Sequence, residues 1–478
     1  MVDARLQRLL AGKPQVLDLF AGCGGMTVGF VRAGFVPVGG VEMDPDAART
    51  YAHNFHGGDD THGRARDITQ TDPHQLLSEL GLARDSVDVL VGGPPCVTFT
   101  RIGRAKLRHV MDQPQAHLAD ARGRLFVDYL RFVDALQPLA LVMENVPDFL
   151  NQNGTNVGRQ VADELEEMGY RVRYTLMNAA HYGVPQGRDR FFLVAYHQDL
   201  DEVPEIPAPT HHWDLPAGYI GGRNVALKLM RDDLIDQRDR RFVDPDRLRG
   251  GRPAVTLREA IGDLPAIELS TGRRDLAQAV AYREGEPSAY AQRMRTWPRF
   301  ESTRCVTAHA TRELGARKLP GRDARIFAAM AEGDEYPRAY ALAEQLFAED
   351  LAQGKTTEAD RALYVPPYDP SKFPNKWRKL EWSQPARTLM AHLGKDTYTH
   401  IHPDSQQARV ISVREAARLQ SFPDGFEFPC AMNPAFKQIG NAVPPMLAWA
   451  LAKEVYAALS EWADEAMDAP AVAAVGGR

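Results

Sequence analysis

The sequence predicts an α/β protein built on a doubly wound, mostly parallel sheet. Over the first 200 residues, short apolar segments alternate with helix-like segments. The strand-like runs are "QVLDLF", "VPVGGVE", "SVDVLV", "LALVME" and "RFFLVAY". Alternating strands and helices of this kind form parallel sheets, which bind ligands beyond the carboxyl ends of their strands. Functional residues are therefore expected where these runs end.

The alternation also predicts the domain organisation. Residues 1–200 form the predicted catalytic domain, and residues 201–432 a smaller, irregular domain with an acidic helical insertion near 331–363. Residues 433–462 regain helical periodicity, and residues 463–478 have the composition of a flexible tail.

Composition excludes several classes of protein. At 478 residues and 44% hydrophobic content the chain can bury real cores. No stretch approaches 18 apolar residues, and the N-terminus lacks the apolar core of a signal peptide, so we expect no membrane association. The four cysteines stand far apart, which argues against a disulfide scaffold and against a cysteine-rich zinc site. We assign no residue to a metal and expect a cytoplasmic protein.

Charge is unevenly distributed along the chain. The net charge is −6, yet residues 221–330 hold 22 Lys and Arg against 15 Asp and Glu. Aromatic residues stand between these arginines, as in "RMRTWPRF". This pattern fits either a solvated surface or a phosphate-facing patch, because attraction for nucleic acid needs only local basicity.

Three segments have the character of a cofactor site. "LDLFAGCGG" is a strand followed by a glycine turn, which lets backbone approach a nucleotide-like ligand, although it departs from the G-x-G-x-x-G of a pyrophosphate cradle. Glu42 ends the next strand and fits either ribose hydroxyls or a helix N-terminus. Asp67 in "RDIT" fits either an adenine amino group or a turn cap.

Three further segments supply reactive groups. Cys96 follows two prolines at a strand end, where it is either a rigid, ligand-facing thiol or a small buried hydrophobe. Glu144 in "ENV" is another acid at a strand terminus. In "QGRDR", Arg188 and Arg190 stand at i and i+2, on one face of an extended segment.

The order of these segments resembles that of the C5-cytosine-specific DNA methyltransferases. The ordered motifs are "DLFAGCGG", "VEMD", "RDIT", "GGPPC", "ENV", "QGRDR", "REAARLQSFP" and "QIGNAVPP". They cover roughly residues 1–200 and 382–455. The resemblance implies a Rossmann-like, S-adenosylmethionine-dependent methyltransferase fold. It also implies a target-recognition domain in the middle, and a C-terminal segment that returns to the catalytic domain.

The resemblance also implies the chemistry. Cys96 is the expected nucleophile toward C6 of a cytosine flipped out of duplex DNA, because C5 alone is too poor a nucleophile to accept a methyl group. Glu144 is expected at N3 and N4, Arg190 at O2, and Arg188 as support for the base or for Glu144. The residues expected to bind the cofactor are Phe20, Ala21, Gly22, Cys23, Gly24, Gly25, Glu42, Met43, Asp67, Ile68, Pro94, Leu125, Asn441 and Val443.

Duplex DNA is the expected partner, bound by a monomer in a prokaryotic cytoplasm, on the nucleoid, within a restriction–modification or phage-defence system that has other components. The residues expected to contact DNA are Thr100, Gln186, Arg240, Arg241 and Arg249. The chain departs from the family at Val97, where Gln is usual, and at Thr100, where Ser is usual. With Val97 the chain lacks the side-chain amide that in the family acts on DNA near the flipped base. Thr100, in contrast, keeps a hydroxyl group.

Three rival functions follow from the same residues. Exocyclic-amine methyltransferases use a D/N/S-P-P-Y/F/W loop, but "VPPY" at 365–368 lacks the polar first residue and follows no strand. A tRNA cytosine-5 methyltransferase is a second alternative, although that branch usually lacks so large a recognition region. A DNA-binding regulator that holds the cofactor without turnover is the third, and the presence of Cys96, Glu144 and Arg190 argues against it.

Overall fold

The computed structural model describes residues 2–95, 121–232, 239–245, 251–267, 281–303, 321–393 and 398–468. Its strands are β1 (Gln15–Leu19), β2 (Val36–Val41), β3 (Val89–Gly92), β4 (Ala140–Asn145), β5 (Tyr170–Asn178), β6 (Asp189–His197), β7 (His211–His212), β8 (Phe242–Val243), β9 (Arg252–Pro253), β10 (Trp377–Lys379) and β11 (Tyr398–Ile401). Seven of them form one sheet in the order β2-β1-β3-β4-β6-β5-β8. Only β6 runs antiparallel to its neighbours in this sheet, which confirms the mixed, mostly parallel sheet expected from the sequence.

Helices flank this sheet and also occur in the irregular region that follows it. They are α1 (Val2–Leu10), α2 (Gly25–Ala33), α3 (Pro45–Phe55), α4 (Asp60–Gly63), α5 (Pro73–Glu79), α6 (Ala121–Leu136), α7 (Val157–Glu167), α8 (Ala217–Ala226), α9 (Lys228–Asp232), α10 (Leu257–Ile261), α11 (Ala289–Arg295), α12 (Gly321–Ala329), α13 (Tyr336–Ala352), α14 (Arg361–Tyr364), α15 (Val413–Leu419), α16 (Met432–Asn441) and α17 (Pro445–Asp468). None of the described helices is long and apolar enough to cross a membrane.

Strand register brings the functional segments to one edge of the sheet. Leu19 pairs with both Val41 and Gly92, and Gly92 pairs with Met143. The residues that follow these partners therefore leave the sheet side by side. Because β6 is antiparallel to β4, its first residues lie at the same edge. The glycine turn, the strand-end acids and "QGRDR" thus converge, as expected for a parallel sheet.

Two apolar cores cover the two faces of the sheet. Successive residues of β3 alternate between them, with Val89 and Val91 on one face and Leu90 on the other. The first core includes α2 and α17, which pack closely because Gly29 has no side chain; a Cβ there would lie 2.5 Å from the backbone nitrogen of Trp449. The C-terminal segment therefore packs beside the first motif.

The irregular region contributes to the first core and also has a core of its own. Leu257, Trp297 and Leu419 belong to the first core, whereas α12 and α13 pack with Trp377 and Tyr398 in a separate cluster. The helices α13 and α14 lie within residues 331–363, where the sequence predicts a helical insertion.

Two boundaries from the sequence need correction. We assigned residues 242–243 to the recognition domain, but β8 pairs with β5 and extends the catalytic sheet. We also expected a flexible tail from residue 463, but α17 continues to Asp468 and Ala463 is buried. Both errors arise because pairing and packing with distant residues, rather than local composition, determine the structure of these segments. The other domain limits stay predictions.

Candidate active site

A cavity of about 490 Å³ opens at the carboxyl edge of the sheet. Most of the cofactor residues expected from the sequence line it, together with three of the expected catalytic residues. These lining residues are Phe20, Ala21, Gly22, Gly25, Glu42, Met43, Asp67, Ile68, Pro94, Leu125, Asn441, Val443, Glu144, Arg188 and Arg190. The segments that meet here are up to about 420 positions apart in the sequence.

The glycine turn holds Glu42 in place. Phe20 (φ 58°), Gly22 (φ 55°) and Gly24 (φ 94°) all adopt left-handed backbone, which strains a residue with a side chain such as Phe20. The Gly22 N–H donates to one oxygen of Glu42 at 2.8 Å, and the Asp44 N–H donates to the other at 2.7 Å. Each carboxylate oxygen can accept a second hydrogen bond, so the fixed carboxylate can still receive hydroxyl donors from a ligand.

Two residues of the turn support it from behind. Cys23 is 1% exposed, and burial raises the pKa of its thiol far above the usual range. A Cβ on Gly24 would lie 2.3 Å from the Phe55 ring, so only glycine fits there. Neither residue is among those that line the cavity. They shape the turn, and their contact with the cofactor stays a prediction.

An acid–base pair lies at the floor of the cavity. The Arg190 Nε is 2.7 Å from Glu144 Oε1. Glu144 Oε2 lies so close to Gly93 that a Cβ there would be 2.9 Å away. Burial raises the pKa of Glu144, while the charges of Arg190 and Arg188 act in the opposite direction. The carboxyl group is thus shielded from solvent, tethered, and more readily protonated than an exposed glutamic acid.

The turn that leads into Cys96 is tied to the same strand end. The Asn145 side-chain amide donates to the Pro94 carbonyl at 2.9 Å, and Pro94 and Pro95 line the cavity. Cys96 itself lies outside the described residues, as does Thr100. Asn145 therefore fixes the Pro94 end of the turn that precedes Cys96 in the sequence.

Arg188 joins three segments of the protein. It is 1% exposed and donates to the carbonyls of Leu389 and Gly440, both at 2.9 Å. Gly440 in turn packs against the Met390–Ala391 backbone, where a Cβ would lie 2.5 Å away. Arg188 acts on Glu144 through its charge. Its hydrogen bonds show a structural role that the sequence did not reveal.

Two residues expected to contact DNA are held by contacts within the protein. Gln186 is fully buried, donates to Leu419 and Gln420 and accepts from the Leu389 N–H. Arg241 is enclosed by carboxylates, with ion pairs to Asp239, Asp163 and Glu166 at 2.8–2.9 Å. A buried amide and a neutralised guanidinium are poor phosphate ligands. Arg240 is exposed, and Arg249 lies outside the described residues.

Sequence reasoning missed two groups at the cavity. Lys437 Nζ lies 2.6 Å from Asp44, so an ion pair joins α16 to the start of α3, and both residues line the cavity. Asp18 lines it from inside β1, accepts from the Thr27 hydroxyl at 2.6 Å, and has its pKa raised to about 7 by burial. Asp18 is the first residue of the motif "DLFAGCGG" and Lys437 directly precedes "QIGNAVPP", but nothing in the sequence showed that they face the cavity.

A mostly parallel sheet with a glycine turn, strand-end acids and a cavity at its carboxyl edge defines an α/β enzyme of the Rossmann-like methyltransferase fold. The model of the family described as "C-5 cytosine-specific DNA methylase" matches residues 15–457 of this chain. This chain belongs to that family.

Individual relatives agree with this assignment. M.OihORF3336P of Oceanobacillus iheyensis is 37% identical over 92% of this chain and 95% of its own length. The type II methyltransferase M.AgeI of Thalassovita gelatinovora is 32% identical over 93% of this chain and 100% of its own length. A prophage-encoded E. coli protein of known crystal structure has a similar fold, with a TM-score of 0.58 at 22% identity, covering 93% of this chain and 99% of that one.

Proposed function

We propose that the protein transfers a methyl group from S-adenosylmethionine to C5 of a cytosine flipped out of duplex DNA. Membership of the family supports the reaction class. The observation that carries the proposal is the Glu144–Arg190 pair beneath the Pro94–Pro95 turn, in the same cavity as Glu42. One cavity thus offers both a nucleoside-binding acid and a pair suited to a pyrimidine ring.

The residues of the cavity fit the proposed cofactor. Glu42 is oriented to accept ribose hydroxyls, and the apolar side chains of Phe20, Ile68 and Leu125 can cover an adenine ring. Asp67 lines the cavity while also capping its own turn through the Thr69 N–H. When bound, S-adenosylmethionine supplies an electrophilic methyl group; these residues only bind and orient it.

The protein's own residues prepare the cytosine. In the proposed mechanism the Cys96 thiolate adds to C6, and electron density moves toward N3 and O2 while C5 becomes nucleophilic. Glu144, whose pKa burial raises, donates a proton at N3, and Arg190 stabilises the charge at O2. After methyl transfer a water molecule accepts the C5 proton, elimination of the thiolate restores the ring, and the N3 proton returns to Glu144. Arg188 holds the surrounding backbone.

The biological setting is also part of the proposal. M.AgeI carries the name of a type II methyltransferase, so we infer a restriction–modification role for this chain. We propose that it acts as a monomer on duplex DNA in a prokaryotic cytoplasm, at the nucleoid.

Transfer of labelled methyl groups tests the proposal directly. The full-length protein is incubated with labelled S-adenosylmethionine and either unmethylated duplex DNA or tRNA. Label in DNA that maps to cytosine C5 by bisulfite sequencing supports the proposal. Label in tRNA alone identifies the tRNA branch, and cofactor binding without transfer to either identifies a regulator. Turnover that survives Cys96→Ser would contradict the covalent mechanism.

A further inference from the structure

The turn at residues 67–71 forms part of the cavity wall, and its position depends on contacts with other elements. Asp67 and Ile68 line the cavity. Within the turn, the Asp67 carbonyl accepts from the Thr71 hydroxyl at 2.7 Å, and the helical part is a single 3₁₀ turn, Ile68–Gln70. A segment this short has too few internal hydrogen bonds to fix its own place on the protein.

An arginine on α6 holds this turn from outside the cavity. Arg131 Nη2 donates to the Ile68 carbonyl at 2.8 Å and to the Thr71 carbonyl at 3.0 Å. The same nitrogen lies 3.2 Å from a carboxylate oxygen of Asp128, one helical turn earlier, which orients the guanidinium. Arg131 is not among the residues that line the cavity. One charged donor therefore ties both ends of the 3₁₀ turn to a helix that follows about 60 residues later in the sequence.

A second arginine fixes the point at which the turn begins. The Arg66 N–H donates to the Glu42 carbonyl at 2.7 Å, and its guanidinium lies 3.2 Å from Glu79 on α5. These contacts hold residue 66 beside the end of β2. The course of the chain beyond residue 66 is set by the hydrogen bonds from Arg131 and by the apolar packing of Ile68, which is 4% exposed.

The Arg131 contact also sets the spacing between two surfaces of the cavity. Leu125 lines the cavity from α6, about 9 Å before Arg131 along the helix axis, whereas Ile68 lines it from the turn. These two apolar side chains can cover an adenine ring, and they belong to different elements. Since the Arg131 hydrogen bonds join the two elements, they determine how far apart Leu125 and Ile68 lie.

We propose that Arg131 is a positioning residue for the adenine end of the cofactor, because it holds the 67–71 turn against α6. The identity of the ligand rests on the proposed function, whereas the anchoring contact rests on the geometry of the turn. Arg131 lies outside the cavity, so its loss should weaken cofactor binding and leave the methyl-transfer step at saturating cofactor unchanged.

Separate measurements of binding and turnover test this proposal. The affinity for S-adenosylhomocysteine, the demethylated form of the cofactor, is measured by calorimetry, and methyl transfer to duplex DNA is measured in a single turnover at saturating S-adenosylmethionine. Arg131→Met should raise the Kd about tenfold, the equivalent of one hydrogen bond from a charged donor, and keep the transfer rate within about twofold of the wild type. Arg131→Lys should recover most of the affinity, because its Nζ can donate to two carbonyls as Nη2 does.

Selectivity for the base supplies a readout that a general loss of stability would not change. S-inosylhomocysteine carries a carbonyl in place of the adenine amino group. The wild type should prefer S-adenosylhomocysteine over this analogue, and the preference should shrink in Arg131→Met, because the displaced turn carries Asp67.

The matched control is Arg5→Met, because Arg5 also donates to backbone carbonyls of α6 and its C-terminal end. Its guanidinium donates to the carbonyls of Leu136 and Gln137 at 3.2 and 2.9 Å, and it does not line the cavity. Arg5→Met should lose stability in urea unfolding and keep the wild-type affinity for S-adenosylhomocysteine. Arg131→Gln, with a shorter side chain, takes the place of Arg131→Met if the latter does not fold.

The possible outcomes separate this inference from the proposed function. Wild-type affinity in Arg131→Met would overturn the inference, and so would an equal loss of affinity in Arg5→Met. A reduced transfer rate with unchanged affinity would also overturn it. A wild-type protein that binds neither form of the cofactor would overturn the proposed function, and this inference with it.

Discussion

The Glu144 carboxyl group combines a fixed position with a raised pKa, because Arg190 holds one oxygen while Gly93 leaves room for the other. Glu144→Gln keeps this shape but removes the proton donor. We expect the single-turnover rate of methyl transfer to fall about 10²–10⁴-fold, with cofactor affinity changed little. Asp148→Asn, which alters an exposed acid four residues later, is the control and should keep the wild-type rate.

The same residue should shape the pH profile. Because its pKa is raised, the acid form of Glu144 persists to higher pH than that of an exposed glutamic acid. The transfer rate should therefore decline as pH rises through that pKa and deprotonates the donor. Rapid-quench measurements across pH test this, and a Glu144→Gln profile that keeps the same decline would assign the titration to another group.

Asp18 affects stability in a pH-dependent way. Burial raises its pKa from 3.8 to about 7. Between these values the folded state holds a proton that the unfolded chain releases, so stability should fall as pH rises through this window, by up to about 1.4 kcal/mol per pH unit. Asp18→Asn can still accept from Thr27 and should remove this dependence. Urea unfolding of both proteins at pH 5 and pH 8 measures the change in unfolding free energy. An equal change in the wild type and in Asp18→Asn would refute the assignment.

At the scale of elements, α2 and α17 can pack closely only because Gly29 has no side chain. A Cβ on Gly29 would lie 2.5 Å from the Trp449 backbone nitrogen and 2.6 Å from the Pro445 carbonyl oxygen. Gly29→Ala should therefore cost about 1–3 kcal/mol of unfolding free energy through overpacking, despite the better helix propensity of alanine. Gly221→Ala in α8 meets open space and should be neutral or stabilising by comparison, as chemical denaturation can show.

Arg188 connects β6 with the segment at Leu389 and the end of α16. Arg188→Met would leave two carbonyls without their donor, and each buried unsatisfied group costs about 1–3 kcal/mol. We expect a loss of about 2–5 kcal/mol in urea unfolding. Arg171→Met, at an exposed arginine paired with Asp201, should cost under about 1 kcal/mol. Similar losses in both variants would mean that Arg188 does not anchor these segments.

At the scale of the whole molecule, local sequence was enough to predict the residues whose position depends only on where a strand ends. Glu42 and Glu144 were identified because the carboxyl ends of parallel strands meet at one edge, whatever the helices between them do. The burial of Gln186 was missed because its partners at Leu419 and Gln420 lie more than 230 residues away. The Lys437–Asp44 pair spans 393 positions and was equally invisible. Contacts between segments that are distant in sequence can be recognised only in the folded structure.

Residues distant in sequence, such as Glu42 and Asn441, line one cavity. Binding of the proposed cofactor should therefore depend on, and stabilise, the complete fold. A ligand that binds only the folded state at a hundredfold excess over its Kd stabilises it by about 2.7 kcal/mol. S-adenosylmethionine should therefore raise Tm by about 3–6 °C. Glu42→Gln should lose most of this shift, whereas Glu358→Gln, at an exposed residue that does not line the cavity, should keep it. An equal shift in all three proteins would place the cofactor elsewhere.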